Sequence, residues 1–340
     1  MPRKPVIYGL SGFELTSEER SFFAAESPAG YILFARNCQD PKQLRTLTNS
    51  LKALHPDYLP LILIDQEGGR VARLKPPHWR HVPPAASFAR VADTDMMAAR
   101  QLVYLNARLI AEDLVACGIN TDCAPLADIP SETCHDIIGD RAYGTTPSQV
   151  VTLGRAMAEG LLDGGVLPVL KHIPGHGRAE VDSHESLPVV NASLDDLLAQ
   201  DFVPFMELAD LPLGMTAHIR YTAIDQDLPA TLSEKTIHMV RDKIGFKGLL
   251  MTDDLSMKAL QGDLGRLAQD SLLAGCDLVL HCNGVMSEMQ HIGSALTVGD
   301  DRLQKRLDAA IALISPLPSE DASALLAEYQ TLCTLHGVAA

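Results

Sequence analysis

Eight apolar runs of strand length recur along the chain: VIYGL (6–10), GYILFA (30–35), LPLILI (59–64), GINTDCAP (118–125), GVLPVL (165–170), LPLGMTA (211–217), KGLLMT (247–252) and CDLVLH (276–281). Most are rich in Leu, Ile and Val without apolar/polar alternation, the pattern of parallel strands buried on both faces. Helix-like segments separate them. Thr16–Glu19 reads T-S-E-E, a capping-box start. Ser193 opens SLDDLLAQDF with acids in its first turn, and Ser233 opens SEKTIHMVRDKI. The alternation predicts an α/β fold, a single-domain (β/α)8 TIM-type barrel over residues 1–340. SPLPSED (315–321) reads as the break before a short C-terminal helical tail from about 316. An open doubly wound sheet is the alternative, but it usually carries a G-x-G-x-x-G turn after its first strand, and none occurs.

Polar residues follow directly where these runs end. Arg36 and Asn37, Asp65, Lys171 and His172, His218, and Asp253 and Asp254 all stand at such positions. In a parallel barrel every strand C-terminus opens on one rim, where chemistry is carried out. The plain alternative is that each charge marks where its strand meets water.

Composition narrows the partners. The chain has 340 residues, 46% hydrophobic and 21% charged, which excludes a disordered or collagen-like chain. Its 28 Lys+Arg against 43 Asp+Glu give a net charge of −15. Such a surface repels phosphate backbones and anionic membranes, so neither nucleic acid nor membrane is expected as a partner. An anionic ligand needs a local cluster of Arg and Lys. The seven cysteines (Cys38, Cys117, Cys123, Cys134, Cys276, Cys282 and Cys333) form no C-x-x-C pair, and several sit in apolar runs. They read as reduced, mostly buried thiols. MPRKPVIYGLSG lacks the apolar core of a signal peptide, and no run reaches the ~20 apolar residues of a membrane helix. A cytoplasmic location is expected.

The densest chemistry lies in KHIPGHGRAEVDSHESLP (171–188). A connection this long after a strand is usually functional or disordered. His172 and His176 have the H-x-x-x-H spacing of a helical zinc site, but Pro174 and Gly175 prevent a shared helix face. Asp182 stands two residues before His184, which lets the carboxylate accept from one ring nitrogen and leave the other facing a substrate. A surface Asp and His without partnership would show the same spacing. In MTDDLSM (251–257), Asp253 comes first after the strand and suits a nucleophile, base or metal ligand. Asp254 reads as the N-cap or first-turn acid of the following helix. DQEGGRVARLK (65–75) offers Asp65, Arg70 and Arg73 around paired glycines, a set suited to sugar hydroxyls. IIGDRAYG (137–144) adds Arg141.

Taken together, GYILFARN, DQEGGRVARL, IGDRAYG, KHIPGHG with DSH, MTAH, LPATLS and TDDLSM with AGCDLVL resemble glycoside hydrolase family 3, in its bacterial β-N-acetylglucosaminidase branch of peptidoglycan recycling. The resemblance implies a β-N-acetylhexosaminidase with Asp253 as nucleophile. It implies His184 as general acid/base, paired with Asp182. It implies that Asp65, Arg73, Arg141, Lys171 and His172 bind N-acetylglucosamine, with no metal and no cofactor. The implied partner is a small carbohydrate or muropeptide, with a monomer favoured. Thr252 stands where Ser is common in the family. Larger members take a carboxylate acid from a second domain, for which this chain is too short; it carries the DSH loop instead. Three rivals remain at this level: a phosphorylase on the same site, a metal-dependent barrel hydrolase using His172, His176, His184 and Asp253, and a sugar-binding protein without turnover.

Overall fold

A computed structural model describes residues 2–131, 136–179, 181–183, 185–314 and 322–339. Eight parallel strands close into a barrel: β1 (Lys4–Gly9), β2 (Pro28–Leu33), β3 (Leu61–Ile64), β4 (Thr121–Asp122), β5 (Leu167–Ile173), β7 (Leu213–Thr216), β9 (Leu249–Asp254) and β10 (Leu278–His281). β1 pairs with β10 to complete the circle. β6 (Val189–Val190) and β8 (Arg220–Tyr221) form a separate parallel pair in the loops that follow β5 and β7. Each of the eight apolar runs supplies one barrel strand, and the closed circle replaces the open-sheet alternative.

The helices start where short polar side chains can take up their free N–H groups. Thr16 and Glu19 form the expected capping box at helix Ser17–Glu26. Ser193 and Ser233 cap their segments as read. Asp40, Asp95, Thr146, Asp263 and Asp300 do the same for helices beginning at 41, 96, 147, 264 and 301. A helix at Ala322–His336 packs Tyr329 and Cys333 into the core against helix Met96–Ala116. The described cysteines are unpaired with one another; all but Cys38 are buried. Among the described residues no helix is long and apolar enough to cross a membrane.

The strand period sets the active rim. Side chains of a strand alternate between two faces. Leu61 and Leu63, Leu167 and Val169, Leu249 and Met251, and Leu278 and Leu280 belong to one apolar cluster inside the barrel. Ile62, Ile64, Leu170 and Leu250 fall in the clusters under the helices. Two residues beyond Leu63, Val169 and Met251 stand Asp65, Lys171 and Asp253. The same alternation that fills the barrel therefore points one carboxylate, one ammonium and a second carboxylate into its mouth.

Candidate active site

A cleft of about 440 Å³ opens at this mouth, within the ~300–1,000 Å³ typical of small-molecule sites. Asp65, Arg73, Arg141, Lys171, His172 and Asp253 all line it. The register between β5 and β7 slips between Leu170 and Ile173, and both Lys171 and His172 face the cleft. A comparable slip between β9 and β10 accompanies Asp253 and Asp254, which also both line it. Irregular strand ends of this kind re-aim side chains. Lys171, His172, Asp253 and Asp254 thus belong to strand ends rather than to the connections that follow.

An alternating ion network runs through the β3–β5 side. Lys171 Nζ lies 2.9 Å from Asp65 Oδ1 and 2.6 Å from Glu67 Oε1. Arg73 Nη2 donates to Asp65 Oδ2 at 3.0 Å. Arg141 grips Glu67 with two bonds, Nη2 to Oε1 at 2.7 Å and Nε to Oε2 at 2.8 Å. Burial alone would raise both carboxyls, but the cations overrule it: Lys171 and Arg73 hold Asp65 far below the ordinary carboxylate range, and Arg141 with Lys171 brings Glu67 down to about 2. Burial opposes charge on Lys171 as well, and its two carboxylates push its affinity for the proton up. Asp65, Glu67, Arg141 and Lys171 are all charged at neutral pH.

A second assembly fixes the start of the loop after β5. Asp128, fully buried, meets His172 Nδ1 at 2.7 Å through Oδ2. Its Oδ1 accepts the backbone N–H of His176 at 2.6 Å. The His172 and His176 rings stand edge to face, 5.5 Å between centroids. His176 is buried, which lowers its affinity for a proton to about 4. Its Nε2 meets Ser183 Oγ at 3.1 Å, and Ser183 C=O accepts the N–H of Ala259 from the connection after β9 at 3.2 Å. Ser183 is thereby tied both to the start of this loop and to the connection after β9. Asp182 is half-buried, and its carbonyl accepts the N–H groups of Glu185 and Ser186. His184 itself lies outside the described residues. Gly177 passes so close to Ile129 that a Cβ there would overlap the Ile129 carbonyl, which explains the glycine.

Some residues take other roles than their spacing suggested. Asp254 caps no helix; the next helix begins at Leu264 on Asp263. Instead its carboxylate accepts Ser256 N–H at 3.0 Å, Ser256 Oγ–H at 2.7 Å and Cys282 N–H at 3.1 Å, because a tight turn and not a helix follows β9. His218 is fully buried between Thr231 Oγ1 (2.7 Å) and the Asp254 carbonyl (3.0 Å). His281 is likewise buried and bonds to Glu288. Glu67 and Asp128 were not singled out by sequence. Each is an acid amid strand-end or apolar sequence, DQEGG and APLADIP, which is the one local signal they give. Among the described residues no group of three or more His, Cys, Asp or Glu is placed to hold a metal.

Residues 7–316 match the family model for the glycosyl hydrolase family 3 N-terminal domain. The chain belongs to glycoside hydrolase family 3, and the family resemblance read from its motifs is borne out. It groups with the family's β-hexosaminidases. A β-hexosaminidase of Alkalilimnicola ehrlichii is 41% identical over 307 residues, 88% of this chain and 87% of that protein. Native NagZ from Neisseria gonorrhoeae superposes with a TM-score of 0.87 at 34% identity, covering 100% of this chain and 99% of that one. The same protein in complex with N-trifluoroacetyl-D-glucosamine gives a TM-score of 0.86 at 33% identity, with the same coverage.

Proposed function

We propose that the chain is a retaining exo-β-N-acetylglucosaminidase that releases N-acetylglucosamine from peptidoglycan fragments. The preferred substrate is N-acetylglucosaminyl-1,6-anhydro-N-acetylmuramic acid, with or without peptide, met in the cytoplasm. The observation that carries the mechanism is how the cleft's carboxylates are used. A retaining glycosidase needs one nucleophile and one proton donor. Asp65 is held ionised by Lys171 and Arg73, so it gives up no proton at neutral pH. The Asp254 carboxylate serves as acceptor in a turn. Neither supplies the acid, and the family resemblance assigns that role to His184, paired with Asp182, in the loop after β5. Asp253, inward at the end of β9 and in the family's TDDLSM element, is the nucleophile.

In the first step Asp253 attacks the anomeric carbon as His184 protonates the departing oxygen. In the second, His184 takes a proton from water, which opens the glycosyl-enzyme with retained configuration. Asp182 holds the imidazole tautomer. Asp65, Arg73, Arg141, Lys171 and His172 hold the sugar through forked donors and charged acceptors. This route calls for no metal and no organic cofactor.

The test is hydrolysis of p-nitrophenyl N-acetyl-β-glucosaminide by wild type and Asp253→Ala, in EDTA without phosphate. Turnover by wild type alone, with sugar binding kept in the variant, is expected. Turnover only after phosphate is added, with sugar 1-phosphate as product, would make the protein a phosphorylase. Dependence on added zinc would make it a metal hydrolase.

A further inference from the structure

The cations of the cleft are not equivalent. Lys171, Arg73, Arg141 and Arg70 each sit in an ion pair with a carboxylate of the chain. Arg36, which follows β2 and lines the same cleft, makes no ion pair among the described residues. Its Nε donates to the carbonyl of Leu10 at 2.7 Å, and its Nη2 to the carbonyl of Cys282. Both partners are neutral. Its guanidinium carbon stands 4.8 Å from the centre of the Phe34 ring, and that of Arg73 stands 5.3 Å from the same ring. Two cations therefore share one aromatic platform, and only one of them is matched by a carboxylate. Asp254 is close enough to act on Arg36, but its oxygens are engaged by Ser256 and the Cys282 N–H.

The anchoring is what a recognition group needs. Two carbonyls and a ring fix the guanidinium, so little side-chain entropy is lost when a ligand arrives. The remaining N–H groups, chiefly on Nη1, suit a carboxylate. Place decides which part of a substrate it meets. The network ascribed to the N-acetylglucosamine ring runs from β3 to β5, and Arg36 stands beyond its Arg73 end, on the loops after β1 and β10. We propose that Arg36 forms an anion subsite for a carboxylate on the leaving group, making it the residue by which this cleft prefers acidic glycosides. The proposal rests on the glycosidase reading above and names the part of the substrate that reading leaves open.

A charge-only pair of substrates tests it: the N-acetylglucosaminyl-anhydromuramic acid disaccharide and the same disaccharide with its lactyl carboxylate converted to the primary amide. Wild type should show a kcat/KM roughly 10- to 100-fold higher on the acid, the size of one charge-assisted contact. Arg36→Gln should erase most of that ratio, and Arg36→Lys should keep part of it. Thermal melts and p-nitrophenyl glycoside turnover check that each variant is folded. No preference in wild type, or equal losses on both substrates in Arg36→Gln, would overturn the proposal while leaving the glycosidase reading intact. Stimulation by inorganic phosphate that Arg36→Gln removes would overturn it in favour of an acceptor site. Failure of wild type on both disaccharides and on the aryl glycoside would instead count against the glycosidase reading itself.

Discussion

Asp128 carries His172 on one carboxylate oxygen, at 2.7 Å, and the N–H of His176 on the other, at 2.6 Å. One buried side chain thus sets both the ring that lines the cleft and the first turn of the loop bearing Asp182. Asp128→Asn keeps the shape but replaces one acceptor oxygen by a donor. Either the His172 ring or the 176 amide then loses its partner. The expected result is a kcat loss of about 10- to 100-fold on N-acetylglucosaminides, with a KM change and only a modest drop in Tm. Unaltered kinetics would show that the pair only packs.

Glu67 neutralises two cations at once. Glu67→Gln takes from buried Arg141 the carboxylate that grips it and leaves Lys171 with Asp65 alone. Breaking a buried pair by removing one partner costs about 3–5 kcal/mol, so a large fall in the urea midpoint is expected, with kcat/KM down by at least about tenfold. Glu67→Asp should recover stability in part. Urea titration with both variants decides the matter, and a change under about 0.5 kcal/mol would show that water, not Glu67, balances these charges.

Proton donation by His184 should depend on the leaving group. His184→Ala is expected to hurt disaccharides far more than aryl glycosides whose phenols leave without help. Kinetics across phenols of graded acidity give a steeper dependence on leaving-group pKa in the variant than in wild type. Equal losses across the series would assign the proton to another group.

Stability should fall from neutral to acid pH in two stages. Burial brings His55 and His176 from the ordinary 6.5 to about 4. Between those values the unfolded chain binds more protons, so stability is lost as pH falls. Asp122 opposes this: burial raises its carboxyl to about 7, so between about 7 and 3.8 the folded chain binds the extra proton. Two histidines against one carboxyl leave a net loss on acidification. Below that, Glu67, depressed from 4.5 to about 2 by Arg141 and Lys171 against its burial, gives up its contribution as pH falls through that window. Urea midpoints from pH 7 to 3 should decline more steeply in Asp122→Asn and less steeply in His176→Gln. Parallel curves for all three proteins would refute the assignment.

The barrel was legible because its eight runs carry their own signal: continuous apolar residues, then a polar one. Asp65, Lys171 and Asp253 could be read as rim residues for that reason. Their partners could not. Lys171 meets Asp65 across 106 positions of sequence, and Arg141 meets Glu67 across 74; no spacing rule spans such gaps. Asp254 misled in the other direction. An acid after a strand looks like a helix cap, but the chain makes a turn there and delays its helix to Leu264. Asp128 sits in a run whose apolar neighbours hide it, and burial became visible only with the fold.

Lys171 reaches from β5 to Asp65 at the end of β3, passing over β4, whose paired stretch is only Thr121–Asp122. It is therefore a tie across the shortest stave of the barrel as well as part of the pocket. The route by which this protein could acquire a new specificity is narrowed accordingly. Exchanging that lysine to change what the cleft accepts would loosen the mouth in the same step. Variants selected for altered substrates should keep position 171 and change the loop positions around it, where recognition and cohesion are separate.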